Sequence, residues 1–375
     1  MNAAAPPLSG WARRAIAALA ADAGSAALAR LDGASLLVER AALKGYRVPG
    51  RVSAGGGCRL YSARDDLVAL SLPRDDDRAL LPALFGDASF PLTDDAAVAA
   101  RIALEDAAPL VAKGRALGLA IARFSEAPTA PAVFVTARGP ASPPRPRKGR
   151  VLDLSALWAG PLAGRLLATL GFAVVKVENR RRPDAMRTGD PRFFDALNQD
   201  KARVALDFDN PADRERFCAL IEDADVVIES SRPRALLQFG IDADAIVRRR
   251  PVVWISVTAH GVDADGAAAI GFGDDCSVAG GLSRALCDAT GRVAFAGDAA
   301  ADPVTGIAAA VEAVRRWRNG ESARVILSMA GLVAEAIAAA RRDDPDEFAD
   351  EFRCWAAATG ALIASAESVR VARAC

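Results

Sequence analysis

The sequence predicts an α/β protein: a doubly wound, mostly parallel sheet of Rossmann-like type with a smaller α+β domain beside it. Three observations carry that expectation. From residue 151 onward, short apolar runs alternate with helical patterns, as the strands of a parallel sheet covered on both faces do. The 375 residues exceed one ordinary core, so two domains are expected. A Pro-rich basic stretch at 136–150 reads as a stiff, solvated linker between them.

In residues 1–135, the small domain, helical patterns fall near 11–22 and 34–44. Gly55-Gly56-Gly57 then leads into alternating strand runs near 58–62 and 67–72, followed by helices near 76–85 and 94–117. Residues 151–375 form the large domain. Its strands are expected at 151–155, 173–178, 203–208, 225–230, 252–258 and 323–329. Helices are expected at 160–171, from Asn210-Pro211 to about 224, at 303–316 and over most of 330–358. Ligands bind such sheets at the carboxyl ends of the strands.

Composition narrows the function. The chain carries 47 basic and 47 acidic residues, which gives no global pull toward nucleic acid or an anionic membrane. Six cysteines form no CxxC pair or metal-ligand cluster in sequence, so reduced thiols in a cytoplasmic protein and no metal are expected. The single histidine, His260, argues against His-ligated metal sites and most Ser-His chemistry. An apolar run after Arg13 and Arg14 is broken by Asp22, which suits an amphipathic helix better than a leader. No uncharged apolar stretch reaches 18 residues, so no membrane span is expected.

The most informative segment is 297–306, Gly-Asp-Ala-Ala-Ala-Asp-Pro-Val-Thr-Gly. Asp302 is expected as a helix N-cap, with Pro303 at the first helical position. The partial positive charge of a helix start is expected to keep that carboxylate ionised. An ionised carboxylate can be a nucleophile. The residues alone leave both roles open, cap and nucleophile.

Five segments in order resemble the class III CoA-transferase family, the formyl-CoA transferase and carnitine CoA-transferase group. They are Val151–Pro161 with its Ala159-Gly160-Pro161 turn, Leu170–Glu178, Leu197–Phe208, Ala224–Pro233 and Asp302–Gly306. The resemblance implies that Asp302 is the catalytic nucleophile and that CoA moves from an acyl-CoA thioester to a small carboxylic acid. Coenzyme A enters as substrate, with no tightly bound cofactor. A homodimer, interlocked in that family, is also implied.

CoA's phosphates call for basic side chains, and Arg180, Arg181, Lys201, Arg203 and Arg232 are the candidates. Lys201 and Arg232 gain support from the resemblance, which further implies CoA contacts from Trp158, Ala159, Ser230 and Ser231, with Asp274 or Asp275 in place of a family acidic residue. Gly56 and Gly57 would bring backbone N–H groups toward the reacting carbonyl, as an oxyanion site needs; a flexible turn is the other reading of those glycines. The small domain precedes the large one here, a permutation-like order. The chain departs from the family pattern at Ser230-Ser231, at Asn179, and at Gly273, where an acidic residue is frequent. Rival expectations are a CoA-binding homologue without turnover, an acyl-CoA racemase and a dehydrogenase. The racemase needs a histidine where Phe272 stands, and the dehydrogenase lacks its GxGxxG turn.

Overall fold

The structure is a computed structural model that describes residues 5–143, 149–231, 233–262 and 269–360. Three antiparallel strands, β1 (Cys58–Ser62), β2 (Leu67–Ser71) and β3 (Ala120–Arg123), make a small sheet. Seven more make the large sheet: β4 (Val133–Arg138), β5 (Arg150–Asp153), β6 (Ala173–Asn179), β7 (Ala202–Leu206), β8 (Val226–Glu229), β9 (Val253–Thr258) and β10 (Ala323–Ser328). Their order is β4-β10-β9-β8-β5-β6-β7, parallel except for β4, which runs antiparallel to β10. The central strands β8 and β9 are buried throughout, which is why they read as mostly apolar runs. The expected fold class stands.

The expected domain boundaries do not match the packing. Helix Ser9–Ala23 carries an apolar stripe of Ala12, Ile16, Leu19 and Ala20. That stripe joins the same core as Ala159, Val304, Ala310 and Trp355. Glu351 fastens the start of this helix, accepting from the Leu8 N–H at 2.8 Å and the Gly10 N–H at 2.6 Å. The N-terminal helices therefore belong to the large body. The separate small core is built from residues between Tyr61 and Ile121.

The expected linker also differs, because β4 takes up Thr136–Arg138 as an edge strand of the large sheet. Both β3 and β4 lack a signal of their own: β3 has four residues, and most of β4 is only half-buried. The helix expected over 94–117 is two helices, Asp95–Ile102 and Ala107–Leu117. Among the described residues, no helix is long and apolar enough to cross a membrane.

Candidate active site

Helix Ala301–Arg318 begins at Ala301, with Ala300 as its N-cap. Asp302 is thus the second helical residue and Pro303 the third, each two positions further into the helix than the sequence suggests. Asp302 does not cap the helix, and its own N–H donates to the Ala299 carbonyl at 2.9 Å. Ala299 sits at φ 45°, a left-handed conformation that costs a non-glycine residue stability and persists only when surrounding contacts enforce it. The helix packs on Ala159–Thr169 through Gly306, where a Cβ would come within 2.7 Å of the Ala159 carbonyl. This close approach brings the first turn of one helix against the first turn of the other.

Burial pushes the Asp302 carboxyl up to about 7, so the helix start does not hold it firmly ionised. Arg40 opposes that shift, Asp274 and Asp298 reinforce it, and a hydrogen bond from the Ala159 N–H favours the carboxylate. Asp274 is itself raised to about 6, first by burial and then by Asp298. Its Oδ1 accepts the Ala299 N–H at 2.9 Å, and the Ser53 hydroxyl bonds to it. Burial raises Asp275 to about 7 although it accepts from the Phe272 N–H and the Ser71 hydroxyl, each at 2.9 Å.

Arg40 is the cation at the centre of this group. Its Nε donates to Asp298 Oδ2 at 2.9 Å, and its Nη2 pairs with Asp298 Oδ1. The guanidinium lies 5.1 Å from the centre of the Trp158 ring, within cation–π range. Gly273 completes the arrangement. A Cβ there would overlap Asp302 Oδ2 and come within 2.5 Å of the Ala299 carbonyl. Only glycine fits against the Asp302 carboxylate, which is a physical reason for the departure at this position.

Asp302 opens into a cleft of about 240 Å³ at the carboxyl ends of the strands. Ala156–Leu157 and Ala159–Gly160 border it after β5, Ser230 and Ser231 after β8, Val257–Ala259 at β9 and Met329 after β10. Phe272 forms another wall, and Arg74 reaches in from beside the small core, 5.3 Å from the Phe272 ring centre. Asp77 holds Arg74, with Nε to Oδ2 at 3.0 Å. Leu157 sits at φ 67° and donates its N–H to Asp184 at 3.1 Å, which fixes the turn ahead of Ala159.

The residues expected to meet CoA divide sharply. Ala159, Ser230 and Ser231 border the cleft, while Asp274 lies in the carboxylate group behind it. Trp158 does not border the cleft: it is a core residue packed edge-on against Phe193 at 4.8 Å, under Arg40. Lys201 is no exposed phosphate ligand. It is buried, and its Nζ donates to Asp153 at 2.7 Å, the Pro161 carbonyl at 2.8 Å and Asn198 at 2.9 Å. Burial lowers its ammonium to about 8, still charged at neutral pH.

Arg203 lies on the edge strand β7, stacks on Phe194 and faces Asp195 at 3.4 Å. Arg180 donates to the Ala205 carbonyl at 3.2 Å and lies 3.8 Å from Asp213. Neither borders the cleft. Arg232 falls outside the described residues. The glycine loop does come to the site from residues 53–57: Ser53 bonds to Asp274, and a Cβ on Gly55 would lie 3.5 Å from Arg40. Gly56 takes φ 77° with open space around it, while Gly57 faces Pro73.

Sequence reasoning misses Arg40, Ser53, Arg74 and Asp298. Asp298 was legible in part, standing in the same motif as Asp302. Arg40 carries no local signal, because its partner is 258 residues away. The chain also gathers His260, Asp275 and Cys276, whose ligand-capable atoms lie within 4.8 Å of one another, a cluster that sequence spacing hides. His260 is lowered to about 4, by burial first and then by Arg115, 3.4 Å away.

The model of the family described as CoA-transferase family III matches residues 148–343, just over half of the chain. Succinate–glutarate CoA-transferase of Agrobacterium fabrum is 28% identical over 207 residues, covering 50% of this chain and 52% of that protein. Formyl-CoA:oxalate CoA-transferase of Afipia carboxidovorans is 28% identical over 216 residues, covering 52% and 48%. A hypothetical protein of Mycobacterium tuberculosis with a crystal structure is 27% identical, with a TM-score of 0.46, covering 53% of this chain and 58% of that one. The chain spans about half the length of the curated relatives it matches.

Proposed function

The chain belongs to CoA-transferase family III, and from that premise we propose that it transfers CoA from an acyl-CoA thioester to a carboxylic acid through Asp302. One observation carries the reading: the Asp302 carboxylate opens into the cleft at the carboxyl ends of the parallel strands, within the matched segment. In this reading the ionised carboxylate attacks the thioester carbonyl and expels CoA thiolate, leaving a mixed anhydride. The thiolate then attacks the aspartyl carbonyl. This releases the first acid and leaves an aspartyl-CoA thioester. The acceptor carboxylate attacks that thioester, and returning thiolate yields the new acyl-CoA and free Asp302.

One thioester replaces another, so the exchange is near-isoenergetic. The apolar walls from Leu157, Val257, Phe272 and Met329 suit an acyl chain. Lys201 and Asp153 hold the turn after β5 from beneath, through the Pro161 carbonyl and the Ser155 N–H. His260 is not among the residues bordering the cleft, and Phe272 stands there instead, so the racemase reading has no support from geometry. A homodimer in the cytoplasm belongs to the same proposal, and light scattering at micromolar concentration tests the dimer.

The test of function is an exchange assay. A panel of acyl-CoAs is incubated with free carboxylic acids, and new thioesters are resolved by chromatography. The reading expects exchange by the wild type and none by Asp302→Asn. CoA binding without exchange by the wild type would leave a CoA-binding homologue.

A further inference from the structure

We propose that Arg40, which lies ahead of the matched family segment, is a positioning residue that supplies the cation for the Asp302 carboxylate and locks the loop leading into its helix. The inference rests on the reading of Asp302 as nucleophile.

Three observations support it. Arg40 is four-fifths buried, and both its Nε and Nη2 go to Asp298, itself fully buried. Asp298 lies in the loop that runs through Ala299, in its left-handed conformation, into Ala301–Arg318. The guanidinium lies against the Trp158 ring on one side, and the glycine loop passes close by, where a Cβ on Gly55 would make ordinary contact with it at 3.5 Å. Its position is thus set by its own helix, by Asp298 and by the Trp158 ring ahead of Ala159.

The charges facing Asp302 come from each element packed on it. Helix Glu39–Lys44 gives Arg40, the preceding loop gives Asp298, and helix Gly273–Ala279 gives Asp274 and the Cys276 thiol. Among the described residues, Asp302, Asp274 and Asp298 thus share the Arg40 guanidinium, and removal of that cation takes away what opposes their burial and mutual repulsion. An opposite charge close to a carboxyl typically moves it by about one to three pH units. Arg40 therefore decides how much Asp302 is ionised near neutral pH. A residue outside the family segment completes the site within it.

The experiment is a titration of the Asp302 carboxyl by carbon NMR on protein labelled at aspartate Cγ, with the resonance assigned by its loss in Asp302→Asn. Arg40→Gln is expected to move the titration up by about one pH unit or more. Asp298→Asn, which removes a neighbouring negative charge and frees Arg40, is expected to move it down. Arg40→Lys is expected to keep it near the wild-type position. The acid limb of the exchange rate follows the same order. An unmoved titration in folded Arg40→Gln, or a rise in Asp298→Asn, would overturn the proposal. Should Arg40→Gln not fold, the downward shift in Asp298→Asn and the rescue by lysine decide it. A purely structural arginine lowers the melting temperature without moving the titration. The NMR readout stands even if the wild type shows no exchange, so failure of the transferase reading is separately visible.

Discussion

Two buried charge clusters lie within one helix of each other and differ in balance. Under the β5 turn, Asp153 and Asp184 meet Lys201 and Lys176, two acids for two bases, all but closed to solvent. Around Asp302, among the described residues, three carboxyls meet the Arg40 guanidinium. Burial pushes Asp153 up, but the two lysines outweigh it and hold its carboxyl below the ordinary range. Burial wins at Asp302, Asp274 and Asp275, which all rise. A balanced cluster fixes geometry, whereas a cation-poor one keeps a carboxyl poised between its two protonation states near neutral pH.

The largest effect should come from the poised cluster. Asp302→Asn is expected to lower exchange by roughly a thousandfold or more, as loss of a nucleophile does, with the circular dichroism spectrum unchanged. Exchange within tenfold of wild type would remove Asp302 from the chemistry.

The balanced cluster should respond in stability instead. Lys201→Met leaves Asp153 buried without its partner and is expected to cost about 3–5 kcal/mol in urea unfolding. Arg203→Ala, on the exposed edge, should cost less than about 1 kcal/mol. Equal costs would mean that the two lysine and arginine sites do not differ as their burial says.

Gly273→Ala sharpens the contrast, because its Cβ would overlap the Asp302 carboxylate. A displacement of that size is expected to lower kcat about a hundredfold, with a smaller change in the melting temperature. An unchanged kcat would show that the first turn of the helix can move freely.

The cation-poor cluster also predicts a pH dependence. Asp302 and Asp275 titrate near 7 in the folded chain, against 3.8 ordinarily. Between those values the folded state keeps protons that the unfolded state has released, so this contribution to stability falls as pH rises from about 4 to 7. The melting temperature is expected to be higher at pH 5.5 than at 7.5, and Asp275→Asn should reduce the difference. A difference unchanged in that variant would assign it to other groups.

The comparison also explains what was legible in the sequence. Buried strands such as Val253–Thr258 are mostly apolar, and Asn210-Pro211 opens its helix as its residue types suggest, with the Asn210 side chain accepting the Ala212 N–H. Asp302 was legible because helix chemistry and motif coincide within a few residues. Arg40 was not, since its role depends on chain segments that meet only in the folded molecule. Lys201 was misread for a related reason: the sequence prints a lysine identically whether it faces solvent or Asp153. The apolar stripe of the N-terminal helix does not state its partner, so its place in the large body is not legible in the sequence.

The most direct measurement of the central claim is the mass of the intact protein after incubation with an acyl-CoA, followed by peptide mapping. An aspartyl-CoA thioester adds a mass equal to CoA less one water, and this adduct is expected on the peptide that contains Asp302, trapped by acid quenching and absent from Asp302→Asn. An adduct of that mass on another residue, or its persistence in Asp302→Asn, would contradict the account.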